Sequence, residues 1–230
     1  MAVATKGYNT ELTAIKANKA YTMEEEYEAQ QELYTKYAED YDRVRYDDEY
    51  QGPEQVCALA NQLLGGRKDA KILDYGCGTG YLVDILLDKY GFENVDGSEP
   101  CEGLLNVGRR NGKMKNTYVL GSNDDHSVMG SKVYDIILAV GVFFNTPSHP
   151  VVSDIPKLCE LVKSGGWIVL STCDGYLKPR MIEEFEQLVV NGHTKNFTKE
   201  TFDDYRKVKP EEREKGITTI KGALMKMQVP

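Results

Sequence analysis

Between residues 22 and 44, apolar side chains return every three or four positions: Met23, Tyr27, Tyr34, Tyr37, Ala38, Tyr41 and Val44. That period lines one face of an α-helix. Thr22, followed three residues on by Glu25, reads as a capping box that satisfies orphan N–H groups at a helix start. The other faces carry Glu24, Glu26, Glu28, Glu32, Glu39 and Asp40, so the tyrosine stripe predicts a helix packed on a domain or covering a ligand. Residues 1–20 show weak periodicity and are expected to be partly mobile or ordered only as a cover. Asp47-Asp48-Glu49 reads as a solvated linker. Pro53 suits the first turn of a further helix, with Val56, Leu59, Ala60, Leu63 and Leu64 on its buried face and Gly65-Gly66 as its stop.

From residue 71 the pattern changes. A short apolar run ends in Asp74, Gly76, Gly78 and Gly80 follow at alternate positions, and Leu82, Val83, Ile85, Leu86 and Leu87 resume a helical pattern. Residues 92–96 read as a second strand, Leu104, Leu105 and Val107 mark the next helix, and residues 117–120 a third strand. Residues 134–140 form a nearly continuous apolar run, as expected of a central parallel strand buried on both faces. A helix over 151–163, a strand over 167–173, a helix over 181–190 and final strands over 202–208 and 218–227 complete the series. This alternation predicts an α/β fold: a seven-stranded, mostly parallel sheet with helices on both faces. Residues 1–52 are expected to form an N-terminal helical lid and residues 53–230 the sheet domain.

The strand, glycine turn and helix over residues 71–81 form the layout of a nucleotide site in open α/β sheets. The helix start directs N–H groups at the turn and favours ligand oxygens. A dinucleotide fingerprint would place a third glycine where Tyr81 stands, and no Gly-Lys-Ser/Thr follows for a phosphate loop. Asp96, 22 residues beyond Asp74, is placed to accept hydrogen bonds from a ribose diol. The net charge of −8, with no basic stripe, argues against a nucleic-acid partner. Five cysteines without a C-x-x-C pair predict reduced thiols in a cytoplasmic protein, with neither a disulfide framework nor a metal site. No apolar run is long enough for a membrane span, and residues 1–20 lack a signal-peptide core.

Ile72-Leu73-Asp74-Tyr75-Gly76-Cys77-Gly78-Thr79-Gly80 resembles motif I of the class I S-adenosylmethionine (SAM)-dependent methyltransferases. Four more segments agree in order: Tyr34 to Asp42, Val95-Asp96-Gly97-Ser98, Tyr134-Asp135-Ile136-Ile137, and Lys163-Ser164-Gly165-Gly166. Within that superfamily, Val95 to Ser98 and the loop after residue 140 look most like the methyltransferase-like proteins of the Williams–Beuren syndrome region. Glu99-Pro100-Cys101-Glu102 departs from the pattern and reads as a small insertion before the next helix. The resemblance implies a Rossmann-like methyltransferase fold with SAM as cofactor, S-adenosylhomocysteine as product and no metal. It implies that Asp74, Gly76 and Gly78 surround the methionine end, that Asp96 holds the ribose, and that Gly97 and Ser98 line the adenosine side. Ser122, Asn123 or Asp124 would meet the adenine, and Tyr37, Tyr41, Cys77, Gly80 and Val140 complete the expected cofactor contacts. Cys77 is expected to be an inert small residue in the turn.

Transfer from a sulfonium requires an aligned, dehydrated acceptor, and a general base only where the acceptor arrives protonated. The acceptor is expected beyond the carboxyl end of the fourth strand, among Phe143, Phe144, Asn145 and His149, with Tyr34 from the tyrosine helix and Tyr176 and Arg180 after the fifth strand. His149 is the candidate base, because an unperturbed imidazole titrates near neutrality. The aromatic content suggests a partly apolar small molecule. Nearby acids would favour a cationic amine, whereas Arg180 or Lys178 would hold a carboxylate. The expected activity is methyl transfer to an oxygen or nitrogen of a small molecule. The alternatives are a protein methyltransferase or a non-catalytic SAM-binding partner protein.

Overall fold

The computed structural model describes residues 2–144 and 149–230, so expectations placed on Asn145 lie outside the described residues. The chain opens with α1 (Ala2–Ala17), α2 (Met23–Lys36) and α3 (Tyr41–Asp47). The capping box forms as expected: the Thr22 N–H donates to Glu25 Oε2 at 2.7 Å and the Glu25 N–H to Thr22 Oγ1 at 3.2 Å. The tyrosine stripe is interrupted at Tyr37, where a short 3₁₀ turn over Ala38–Asp40 separates α2 from α3. Residues 2–17 form a full helix rather than a loose cover, and Tyr8 is its buried anchor. Tyr8 meets the rings of Tyr34, Tyr37 and Tyr41 with centroids 6.4, 5.7 and 6.1 Å away, giving these helices a small core of their own with Leu33 and Val44. Ala38, Cys101 and Leu104 pack together with Tyr34 and Tyr41 beside them, which docks the helices on the sheet domain.

After α4 (Gly52–Leu63) come β1 (Ile72–Tyr75), α5 (Tyr81–Asp88), β2 (Val95–Ser98), α6 (Glu102–Asn111), β3 (Thr117–Tyr118) and β4 (Tyr134–Val140). Then follow α7 (Ile155–Leu161), β5 (Val162–Cys173), α8 (Pro179–Val190), β6 (Asn196–Phe202), α9 (Pro210–Arg213) and β7 (Gly222–Gln228). The seven strands lie in the order β3-β2-β1-β4-β5-β7-β6. The first five pair in parallel, and β7 runs antiparallel to both β5 and β6.

Alternate residues of the central strands face opposite layers, as a pleated strand requires. Ile72, Ile136, Leu138 and Val169 pack with Val56, Ala60, Leu82 and Leu86 of α4 and α5. Leu73, Ile137, Ala139, Ile168 and Leu170 pack with Ile155, Leu158, Met181 and Phe185 of α7 and α8. Both faces are therefore covered, which makes β4 apolar at nearly every position. The sixth strand lies earlier than the sequence pattern suggests. Its exposed, polar run Asn-Phe-Thr-Lys-Glu-Thr-Phe is an edge strand, held by the β7 ladder and by Phe197 stacked on Phe185 at 5.0 Å. Among the described residues, no helix is long and apolar enough to cross a membrane.

Candidate functional site

The reversal of strand order between β1 and β4 opens a crevice at the carboxyl ends of the strands, the usual ligand position in such sheets. A cavity of about 690 Å³ occupies it, roofed by α1, α2 and α3. Its floor is the turn after β1. Gly76 has φ +76°, and a Cβ there would sit 2.4 Å from the Val142 side chain, so only glycine fits the turn against the loop after β4. Thr79 Oγ1 donates to Asp42 Oδ1, tying the turn to α3.

Two carboxylates define this end. Asp74 closes β1 and is 2% exposed, and its Oδ2 has no hydrogen-bond partner in the protein. Burial, then the nearby Glu99 charge, raises its pKa to about 8. Glu99 follows β2 directly. Its Oε2 accepts from the Gly78 N–H at 3.0 Å and its Oε1 from the Cys101 N–H at 2.9 Å. Burial raises Glu99 to about 7 against those two backbone donors. A buried carboxylate oxygen without a donor is costly, and a ligand cation or hydroxyl would satisfy it. The Tyr75 hydroxyl on the same wall is likewise buried without a partner.

Of the expected cofactor contacts, Tyr41, Asp74, Gly76, Cys77, Gly78, Ser122, Asn123, Asp124 and Val140 all line the cavity. Burial, followed by the Asp74 and Glu99 charges, holds the Cys77 thiol far above its ordinary range, which keeps it protonated. Asp96 does not reach the cavity. It is fully buried beneath the sheet, accepting from Asn116 Nδ2 and the Tyr134 hydroxyl at 2.8 Å each and pairing with Lys71 Nζ at 3.2 Å. Those three partners hold it away from the cavity, and the acid facing the cavity after β2 is Glu99.

The segment expected as a small insertion is a three-residue link, Glu99 to Cys101, between β2 and α6. Gly97 and Ser98 also lie off the cavity wall. A Cβ at Gly97 would fall 2.4 Å from Met114 Sδ, so its smallness serves packing. Gly80 caps α5 outside the wall, and Tyr37 turns away to donate to Glu11 Oε1 at 2.7 Å.

The other end of the cavity is aromatic. Tyr8, Tyr34, Tyr50, Phe144, Tyr176 and Tyr205 line it with His149. Phe144 meets His149 and Tyr176 edge to face, at 4.9 and 5.4 Å between centroids. The Tyr50 and Tyr205 hydroxyls lie 2.9 Å apart. Phe143 is 2% exposed and belongs to the core. Arg180 is solvent-exposed on α8, where it pairs with Glu184 at 2.9 Å, and is not on the wall. Burial first, then the charges of Lys16 and Arg45, lower His149 to about 4. It is therefore a neutral imidazole at physiological pH and a weak proton acceptor.

Glu99, Arg45, Tyr8, Tyr50, Tyr205, Lys16 and Lys209 are wall residues that the sequence pattern did not single out. A signal existed for Glu99 alone, since it lies 25 residues beyond Asp74, only three further than Asp96.

Comparison with known proteins gives the same picture. The family described as "Methyltransferase domain" matches residues 47–205. The chain is 27% identical over 143 residues to a trans-aconitate 2-methyltransferase of Rhizobium rhizogenes, covering 61% of this chain and 53% of that protein. It is 30% identical over 119 residues to a ribosomal protein L11 methyltransferase of Polynucleobacter necessarius, covering 50% and 34%. The chain thus spans about half the length of the first relative and about a third of the second. A TehB-like SAM-dependent methyltransferase from Corynebacterium glutamicum superposes with a TM-score of 0.56 at 18% identity, over 88% of this chain and 99% of that one. The likeness shows a shared fold.

Proposed function

The chain belongs to the methyltransferase-domain family, and from that premise we propose that it is a SAM-dependent methyltransferase acting on an oxygen or nitrogen of a small molecule. The observation that carries this reading is the pair of buried carboxylates, Asp74 and Glu99, at a glycine turn on one cavity wall, with Asp74 Oδ2 lacking any partner in the protein. These residues fit the cofactor. Asp74 would hold the ammonium group of its methionine end, Glu99 the ribose hydroxyls, and the Ser122–Asp124 loop the adenine edge. Bound there, SAM supplies a methyl group already activated on a sulfonium, so the chain need only bind, orient and exclude water. The helices over residues 1–52 serve the last two tasks as a cover over the acceptor end, and residues 53–230 form the cofactor-binding domain.

The roof that α1, α2 and α3 form over the aromatic end of the cavity supports a small acceptor over a protein tail. The relatives are named for acceptors as different as trans-aconitate and a ribosomal protein, so they do not choose between these classes. The five unpaired cysteines support a reducing, cytoplasmic setting. The test is calorimetry with SAM, S-adenosylhomocysteine and NAD. The first two are expected to bind and raise the melting temperature, and NAD to do neither. Failure of both adenosyl compounds to bind would overturn the reading.

A further inference from the structure

The acceptor end of the cavity carries an arginine that, among the described residues, has no ion-pair partner. Arg45, on α3, is half-buried and lines the wall. Its guanidinium lies 4.8 Å from the centre of the Tyr41 ring and 5.7 Å from that of Tyr50, and it donates to the Tyr41 hydroxyl. Among the described residues, no carboxylate lies within ion-pair distance of it. A guanidinium keeps its charge and offers five donors, and a single phenol acceptor leaves most of them open to a ligand.

Its surroundings add further cations. Lys16 from α1 and Lys209, at the start of α9, reach the same wall. Burial first, then Arg45, with a smaller push from Lys209, depress the Lys16 ammonium, and Glu26 opposes them. The charges acting on His149 are Lys16 and Arg45, both cationic. Arg206 differs, because Glu212 holds it through two oxygens at 2.7 and 2.9 Å. The acids on this part of the wall are Asp42, Asp48 and Glu24, and the Arg45 charge acts on Asp42. Asp48 acts on Arg206 and Tyr8, Asp42 accepts from Thr79, and none of the three acids forms an ion pair with Arg45.

The tyrosine box changes meaning in this light. Aromatic faces could cage an ammonium ligand, but here the protein's own arginine lies against two of them. A second cation would meet repulsion, whereas an anion would meet an oriented fork. Resting on the methyltransferase reading above, we propose that the acceptor is a small organic anion whose carboxylate sits on Arg45, with Lys16 and Lys209 beside it. A carboxylate matches the fork through two parallel hydrogen bonds, and the tyrosine and phenylalanine walls suit an apolar body behind it.

The test uses the full chain saturated with S-adenosylhomocysteine and three probes of one shape and different charge: benzoate, benzamide and benzylamine. Benzoate is expected to raise the melting temperature, and the amide and amine to leave it unchanged. Arg45→Gln should weaken benzoate binding by about tenfold, the worth of one charged hydrogen bond, and Arg45→Lys should restore part of it. Lys16→Gln and Lys209→Gln give the same readout, at about two- to threefold, should Arg45→Gln fail to fold. A wild type indifferent to benzoate, equal shifts from all three probes, or undiminished benzoate binding in the folded variants would overturn the proposal. Calorimetry of S-adenosylhomocysteine on the same samples separates the two readings. Loss of that binding in the wild type defeats the methyltransferase assignment, whereas its presence without benzoate discrimination defeats only the anionic acceptor.

Discussion

The two ends of the cavity are built in opposite ways. At one end, a four-residue strand, a glycine turn and the residue after the next strand bring Asp74 and Glu99 together within 26 positions of chain. Both carboxyl groups there are buried and ionise only as pH rises through about 7 to 8. At the other end, Tyr8, Arg45, Tyr50, His149, Tyr205 and Lys209 come from α1, α3 and the link after it, the loop after β4 and the segment after β6. The charge on Arg45, Lys16 and Lys209 there is positive, and the walls are aromatic. A short local motif thus sets the carboxylate end of the cavity, whereas long-range topology sets the aromatic end. A fold can keep the first while exchanging the second, which is how one sheet serves many acceptors.

The largest expected effect tests the carboxylate end. Asp74→Asn keeps the shape and removes the charge, and should weaken S-adenosylhomocysteine binding by about 30- to 100-fold, the worth of a charged hydrogen bond of roughly 2–3 kcal/mol. The same variant should melt higher than the wild type without ligand. Burial holds Asp74 at about 8 against 3.8 for the ordinary carboxyl. A raised carboxyl pKa contributes stability below about pH 4 that is lost as pH rises towards 8. Removing the ionisable group removes that loss. A gain of about 3 °C or more at pH 8, corresponding to ~1 kcal/mol in a chain of this size, is the expected scanning-calorimetry result. A lower melting temperature would contradict it.

The next effect sharpens the contrast through pH. A ligand cation binds the ionised form of Asp74, so affinity should rise as pH climbs from 6 towards 8 and then level off, by up to about tenfold per unit. Glu99, raised to about 7, adds to the same slope below that point. Titration in buffers of different ionisation enthalpy should show proton release on binding. Affinity flat across this window would mean that neither carboxylate faces the ligand's charge.

The smallest effect belongs to the positive end. With its imidazole held near 4, His149 has no titration between pH 5.5 and 7.5 to lend to turnover. His149→Gln should leave the shape of the pH–rate profile unchanged there, with a rate within about threefold of wild type. Loss of a limb near pH 6.5 in the variant would restore His149 as the base.

The same contrast explains what could be read from sequence. The glycine turn, the capping box at Thr22 and the central strand β4 all follow from local period and chemistry, and each stands where expected. The acid on the cavity wall after β2 did not, because Asp96 and Glu99 both satisfy a spacing of about twenty residues and strand ends cannot be placed that finely from pattern alone. Only the register of β2 against β1, Ile72 opposite Val95, shows that Asp96 lies inside the strand and Glu99 beyond its end. The acceptor wall was less legible still. Tyr50 and Tyr205 are 155 positions apart and meet because β7 inserts antiparallel between β5 and β6. Arg45 reads in sequence as one more charge on a polar helix, and only its contact with Tyr41 and Tyr50 marks it.

The most direct test of the carboxylate end compares two acids three residues apart. Calorimetric titration of S-adenosylhomocysteine at pH 8 into Glu99→Ala and Asp96→Asn should separate them. The expected outcome is a loss of about 100-fold or more for Glu99→Ala. Asp96→Asn should bind within about threefold of wild type, its cost appearing instead as a lower melting temperature from the disturbed Lys71, Asn116 and Tyr134 contacts. Binding retained in Glu99→Ala and lost in folded Asp96→Asn would contradict the account.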